Sequence, residues 1–331
     1  MPKTSIAVLI HQPLQQELIS SSDRKRLEDL GQVSWWDQDR PATVEEAASF
    51  IEGARAVIGS WGSVNPGQED VLAHCPDLRL WVHAAGSVKK FFTPVLKAYP
   101  DLMISSCKDA IAAGVAEQAQ ACAIFGLRQY MANTVANRQG KASKPNPCRL
   151  VGESTVGIVG ASIVGRMLID LLRPTGASIL LYDPFVSESE ARKMGVLLEP
   201  DLVELCRRSH AVSLHTPMTE ATRHLLNAEH FQAMAAETVL INTSRGECLD
   251  QEALQEELTQ GRLTAFLDVT TPENLPEDHP LRRLPNCHLS SHIAGPPSTL
   301  IGRQAVDDVA AVLAGGQPKS RITQEMLPNI A

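Results

Sequence analysis

The chain has 331 residues, enough for about two domains, and 44% of them are hydrophobic, so it can bury ordinary globular cores. A net charge of −8 disfavours nucleic acid or an anionic membrane surface as the main partner. No apolar run reaches the roughly 18 residues needed to cross a bilayer; Ala112 to Leu127 comes nearest and is broken by Glu117, Gln118 and Gln120. The N-terminus runs straight into a strand-like segment, without the layout of a signal peptide. Seven scattered cysteines, with no CxxC pair, argue against a disulfide framework and a zinc knuckle. No metal is therefore expected, and a reduced, cytoplasmic setting is.

Short apolar runs alternate with helical patterns along the chain, which predicts α/β architecture with mostly parallel sheets. In the first third, strands are expected at Ser5–Ile10, Ala56–Gly59, Leu78–Val82 and Leu102–Ile104. A helix is expected at Val44–Glu52, its start marked by the capping-box pair Thr43 and Glu46. One long alanine-rich helical segment follows, from Asp109 to Asn137, and then a Pro-containing crossing at Lys141–Pro147. Beyond it come strands at Thr155–Val159, Ser178–Tyr182, Ala211–Leu214, Val239–Asn242, Ala265–Asp268 and His288–Ser290. Helices separate them at Val164–Leu172, Glu188–Met194, Leu202–Arg207, Ala228–Met234 and Gln251–Gln260. A last helix, Thr299–Ala314, stops at Gly315–Gly316.

The run Val156 to Arg166 follows a strand and opens a helix, which is the setting of a dinucleotide loop. Gly160 supplies the tight turn and Gly165 the close helix–sheet packing. The helix start at Ile163 and Val164 offers free N–H groups to a pyrophosphate. Ser162 stands at the middle position of G-x-G-x-x-G, where it crowds the pyrophosphate and needs an ordinary backbone conformation. Asp183 ends the next strand, 18 residues beyond Gly165, near the offset of a ribose-binding carboxylate. No arginine follows it, so NAD(H) is favoured over NADP(H). The same aspartate, placed before Pro184, also suits a β-turn.

Three later segments each end a strand-like run: Ile241–Gly246, Leu267–Glu273 and Ser290–Gly295. Ligands of open α/β sheets sit at the carboxyl ends of strands, so Arg245, Glu273 and His292 are candidates for one site. Their chemistry is complementary. Arginine pairs with a carboxylate through two charge-assisted hydrogen bonds. Histidine protonates a carbonyl oxygen or takes the hydroxyl proton in reverse. A neighbouring glutamate favours the imidazolium and fixes its tautomer. Taken singly, each has a bland explanation: a capped strand end, a solvated acid in a Pro-rich loop, one of ten histidines.

These segments, in this order, resemble the D-isomer-specific 2-hydroxyacid dehydrogenases. The resemblance rests on Val115-Ala116-Glu117, on Ser213 through Thr222, on Ile241–Asp250, on Leu267–Glu273 and on His292–Gly295. It implies two Rossmann-like, doubly wound domains with a cleft between them. The substrate domain would be discontinuous, 1–108 plus 299–331, and the NAD-binding domain would span 109–298. It implies a reaction between a small anionic 2-keto acid and a D-2-hydroxy acid, with no nucleic acid or membrane partner, in a homodimer. Arg245 would bind the substrate carboxylate and carbonyl, and His292 would be the acid/base, paired with Glu273. Asp268 would lie near the nicotinamide amide; His215, Thr216, Pro217, Thr222, Thr243, Ser244 and Gly295 would line the cofactor site. The loop Ala85-Gly86-Ser87 would offer amides to the substrate, and either Lys89 or Lys90 would meet a second anionic group or stay solvated. Trp61 and Trp81 are expected in the core rather than facing the substrate. Two other readings stand beside the enzyme: an NAD(H)-sensing corepressor of the same fold, and a specialised phosphite dehydrogenase. Formate is disfavoured, because Glu273 stands where formate enzymes carry glutamine.

Overall fold

The computed structural model describes residues 5–67, 71–73, 75–86, 88–141 and 148–329. The chain separates into two compact units, Met1–Ile111 with Pro296–Ala331, and Ala112–Gly295. The boundaries expected at 108/109 and 298/299 compare with 111/112 and 295/296, and the first falls inside the helix Lys108–Leu127.

The first unit is a six-stranded sheet. Its parallel strands are β1 (Ser5–Leu9), β2 (Gln32–Trp35), β3 (Ala56–Gly59), β4 (Leu80–His83) and β5 (Met103–Ser106), in the order β5-β4-β3-β1-β2. Arg321–Ile322 pairs antiparallel with β5 and closes that edge. β1 and β3 are continuous apolar runs because both sheet faces are covered, as parallel sheets require. One face is packed by the helix Thr299–Leu313 through Ile301, Ala305, Val306 and Val309. Gly302 lets this helix pass close to the end of the helix Gln12–Leu18: a Cβ there would collide with the Leu18 carbonyl. Thr43 and Glu46 form the expected capping box, at the head of the helix Val44–Phe50.

The second unit is a seven-stranded, wholly parallel sheet. Its strands are β6 (Thr155–Val159), β7 (Ser178–Tyr182), β8 (Leu197–Leu198), β9 (Ala211–Leu214), β10 (Val239–Asn242), β11 (Thr264–Leu267) and β12 (Cys287–Leu289). They are ordered β12-β11-β10-β9-β6-β7-β8, so the chain winds one way from β6 to β8 and the other way from β9 to β12. The reversal lies between β6 and β9, where open α/β sheets bind ligands. The register is even: Val159 lies opposite Leu214, Leu214 opposite Asn242, Asn242 opposite Leu267 and Leu267 opposite Leu289. The carboxyl ends of five strands therefore share one level.

The expected single helix from Asp109 to Asn137 is two helices, Lys108–Leu127 and Tyr130–Arg138. They part at Gln129, which takes a left-handed backbone (φ 51°). No glycine or proline stands at the break, so the sequence carries no stop there. Lys108–Leu127 is also long and apolar enough to cross a membrane by composition, with mean hydropathy 1.3. Its alanine face (Ala116, Ala119, Ala123) packs in the core against Val239 and Phe266, as a buried helix of a globular fold does. Most of the crossing expected at 141–147 lies outside the described residues. The helices Gln12–Leu18, Ser21–Leu30 and Lys89–Ala98 and the strands β2 and β8 were not expected from the sequence; Lys89–Ala98 is nonetheless clearly amphipathic.

Candidate active site

The dinucleotide loop sits at the reversal point, between β6 and the helix Ile163–Leu172. Gly160 has φ 97°, a conformation that L side chains rarely adopt. A Cβ on Gly165 would collide with the Gly160 carbonyl. Ser162 is extended (φ −62°, ψ 179°), which any residue accepts, and its Oγ takes the Gly165 N–H at 3.3 Å as the helix N-cap. The serine thus occupies the middle glycine position without strain. Asp183 serves two purposes at once: Oδ2 accepts from Ala161 N (2.7 Å) and Oδ1 from Phe185 N (2.9 Å). The carboxylate ties the glycine loop to the end of β7 and also forms the turn.

His215 follows β9 and is fully buried, and burial pushes its pKa down to about 3, so the ring is neutral. Its Nε2 meets Ser213 Oγ at 2.8 Å. The His215 Nδ1, Thr216 Oγ1 and Thr243 Oγ1 atoms are buried and have no hydrogen-bond partner among the described residues. Orphaned buried polar atoms cost about 1–3 kcal/mol each. Three of them at the ends of neighbouring strands, beside a glycine cradle and a helix N-terminus, fit a bound dinucleotide that satisfies them. Thr222 behaves differently: its hydroxyl donates to Pro217 O (2.6 Å) and accepts from Thr219 N (2.8 Å), folding the Thr216–Thr222 loop on itself. Ser244 likewise turns inward, donating N–H and Oγ–H to Asn242 Oδ1 (3.0 and 2.8 Å).

The catalytic candidates leave three adjacent strands. Arg245 follows β10, Glu273 lies in the loop after β11, and His292 follows β12. His292 Nδ1 and Glu273 Oε1 are 2.7 Å apart, with both side chains half exposed (48% and 52%). That leaves Nε2 as the nitrogen able to reach a substrate oxygen. His292 itself has φ 53°, a left-handed backbone that an L residue holds only when its surroundings impose it. The restraint is Asp268, which is 3% exposed. Its carboxylate accepts from Ile293 N (2.9 Å), Ala294 N (2.9 Å) and Ser290 Oγ (2.6 Å), with Gln118 Nε2 at 3.3 Å, and its carbonyl takes His292 N (2.8 Å). Both oxygens of Asp268 are engaged in the loop that carries His292.

Arg245 is half-buried, with Nη1 on the Ser244 carbonyl at 2.6 Å. Asn242 organises its turn, donating Nδ2–H to Arg245 O (2.9 Å). Gly246 brings the turn against the segment after β11, since a Cβ there would collide with the Thr270 carbonyl. Sequence reasoning did not assign Asn242, Gly246, Ser290 or Gln118. An Asx-turn former just before the arginine and a glycine just after it were the available signals.

In the first unit, Ala85 and Gly86 follow β4. Ala85 N donates to His83 O (2.7 Å), and Gly86 O accepts from Ser106 Oγ (3.3 Å). Gly86 has neither a positive φ nor a tight contact, so no conformational demand explains its glycine. Ser87 lies outside the described residues, as does the side chain of Lys90. Lys89 opens the helix Lys89–Ala98 and is partly buried. Trp81 is in the core (1% exposed) as expected, whereas Trp61 is 37% exposed.

A reversal point with a glycine cradle defines a dinucleotide-binding α/β protein, and the neighbouring strand ends carry a histidine–carboxylate pair. Residues 121–294 match the family described as "D-isomer specific 2-hydroxyacid dehydrogenase, NAD binding domain". The chain belongs to that family, and the dinucleotide is NAD(H). Among relatives, it is 25% identical over 327 residues to D-3-phosphoglycerate dehydrogenase of Methanocaldococcus jannaschii, covering 98% of this chain and 59% of that protein. It is 35% identical over 177 residues to glyoxylate reductase of Korarchaeum cryptofilum, covering 52% of this chain and 53% of that one. The chain thus spans between about half and three fifths of the length of these two relatives. The NAD-complexed D-isomer specific 2-hydroxyacid dehydrogenase of Lactobacillus delbrueckii ssp. bulgaricus superimposes with a TM-score of 0.78 at 20% identity, over 97% of this chain and 100% of the other, and so shares the fold.

Proposed function

We propose that the protein interconverts a 2-keto acid and a D-2-hydroxy acid, with Arg245, Glu273 and His292 as its working side chains. The observation that carries this reading is the His292–Glu273 pair at 2.7 Å on strand ends level with the Arg245 turn. The chemistry NADH would supply there, when bound, is a hydride for the keto carbon. The Arg245 guanidinium holds the substrate carboxylate, and its fixed fork orients the carbonyl beside it. His292 gives the Nε2 proton to the carbonyl oxygen as negative charge develops there, and takes it back in oxidation. Glu273 holds the ring tautomer through Nδ1 and so keeps Nε2 turned to the substrate. Asp268 keeps the His292 loop in its left-handed turn. His215, Thr216 and Thr243 present polar atoms to the dinucleotide, and Ile163 and Val164 offer first-turn amides to its pyrophosphate. The relatives' printed names, a phosphoglycerate dehydrogenase and a glyoxylate reductase, support a small anionic substrate.

The test is NADH oxidation by the whole chain over a panel of 2-keto acids. Turnover of at least one is expected. Tight NADH binding with no turnover would favour the NAD(H)-sensing corepressor instead.

We also propose that the protein works as a homodimer. Phe125 and Tyr130 stack at 5.0 Å while 43% and 54% exposed, and Met131 and Val135 continue the apolar stripe, which suits a covering second copy. Sedimentation of Tyr130→Glu should show a shift towards monomer relative to the parent chain.

A further inference from the structure

The helix Lys108–Leu127 packs its alanines into the core of the second unit, and Gln118 stands among them with a polar side chain. Its Nε2 lies 3.3 Å from Asp268 Oδ1 and 3.4 Å from Ser290 Oγ. A side-chain amide carries two N–H donors, so one glutamine can serve both acceptors.

Asp268 is where the anchorage of His292 converges. The main chain is pinned at three points: Asp268 N on Asn242 O (3.0 Å), Ser290 N on Leu267 O (3.0 Å) and His292 N on Asp268 O (2.8 Å). The side-chain torsions of Asp268 are left to its hydrogen-bond partners. Among the described residues four donors reach its carboxylate, and three of them, Ser290 Oγ, Ile293 N and Ala294 N, belong to the single loop after β12. Gln118 is the fourth, and it comes from a different element. It therefore fixes the carboxylate from outside the loop that the carboxylate holds.

The turn beneath His292 has much to do. Its φ of 53° must be imposed, and the His292 and Glu273 side chains are both half exposed, so water competes for their pair. The ring is aimed by its backbone turn more than by packing around it. Cys122, one helical turn beyond Gln118, offers Asp268 no charge of its own: burial, with the Asp268 carboxylate, pushes its thiol up to about 11.

We propose that Gln118 is a positioning residue for proton transfer: by holding Asp268 and Ser290 it keeps the His292 turn, and with it the imidazole, in the working orientation. The proposal rests on the reaction proposed above and adds a residue to its machinery.

The experiment compares the whole chain with Gln118→Met, which keeps the side-chain length but has no donor, and with Gln118→His, whose ring N–H restores one. With NADH and a 2-keto acid that the parent reduces, Gln118→Met should lower kcat about tenfold and leave the keto-acid KM and the NADH Kd within about twofold. Gln118→His should recover most of the loss. In the cofactor-free chain, amide hydrogen exchange at Ile293 and Ala294 should quicken in Gln118→Met and return towards the parent rate in Gln118→His. An unchanged kcat in Gln118→Met overturns the positioning role and leaves the reaction standing. So does a loss carried by KM or by the NADH Kd, or one that Gln118→His does not relieve. A parent chain that reduces no 2-keto acid overturns the reaction and the role of Gln118 with it.

Discussion

The two sheets place opposite kinds of chemistry at the same structural position, the carboxyl ends of parallel strands. In the second unit, charged side chains face outward from loops that are themselves held by buried polar groups; Asp268 alone gathers two backbone amides and a serine hydroxyl. In the first unit, the Ser60 and Ser63 hydroxyls donate to the main chain, and Trp61, Trp81 and Phe92 line an open aromatic pocket. The difference teaches that the same strand ends can carry either of two surfaces, charged side chains on loops held by buried polar groups, or aromatic rings beside polar atoms already paired to the main chain.

Changes in the second unit should therefore cost turnover, and changes in its supporting residues should cost stability as well. The largest effect is expected from Arg245→Lys, which keeps the charge but loses the planar fork; kcat/KM for a reduced keto acid should fall about a hundredfold. A loss confined to a few-fold would break the assignment of Arg245 as the carboxylate clamp. Asp268→Asn comes next. It sets an amide NH₂ against loop N–H groups and removes a buried charge-assisted network. Denaturant unfolding should show a loss of about 2 kcal/mol, together with a fall in kcat. Unchanged stability would mean that the His292 turn does not depend on this carboxylate.

Acid should act on both units. His83 (about 4) and His215 (about 3) have folded pKa values below the ordinary 6.5 of an exposed histidine. The unfolded chain then binds more protons, so stability is full above the ordinary histidine range and declines as pH falls through it towards those lower values. The Tm should drop between pH 6.5 and pH 4, and His215→Gln should flatten the drop; an identical slope in the variant would contradict the buried, neutral ring. The smallest effect is expected from Ser162→Gly. It removes an N-cap worth a few tenths of a kcal/mol relative to glycine and opens space at the pyrophosphate, so the NADH Kd should change by no more than a few-fold.

The same contrast explains what was legible in the sequence. Arg245, Glu273 and His292 stand in motifs whose order and residue types carry meaning, and the strands that bear them are buried runs with clean ends. Asp183 was read as either a ribose ligand or a turn former, and its two oxygens are engaged in the loop and in the turn. Asp268 was placed near the nicotinamide amide, and the structure gives both of its oxygens to the His292 loop, a contact between residues more than twenty positions apart that no local pattern announces. The break at Gln129 was silent, because a left-handed glutamine has no sequence mark. The aromatic pocket was silent for another reason: a tryptophan at a strand end reads the same whether it fills a core or rims a cavity. Only Trp61, more exposed than Trp81, distinguishes the two.

The central claim is that His292 moves the proton while the dinucleotide binds elsewhere on the same sheet edge. Single-turnover reduction of a 2-keto acid by His292→Gln preloaded with NADH tests it most directly, with NADH affinity read separately by fluorescence. The account predicts an unchanged NADH Kd and a hydride-transfer rate lowered about a hundredfold or more. Transfer at the parent rate, or a loss traced entirely to weaker NADH binding, would contradict it.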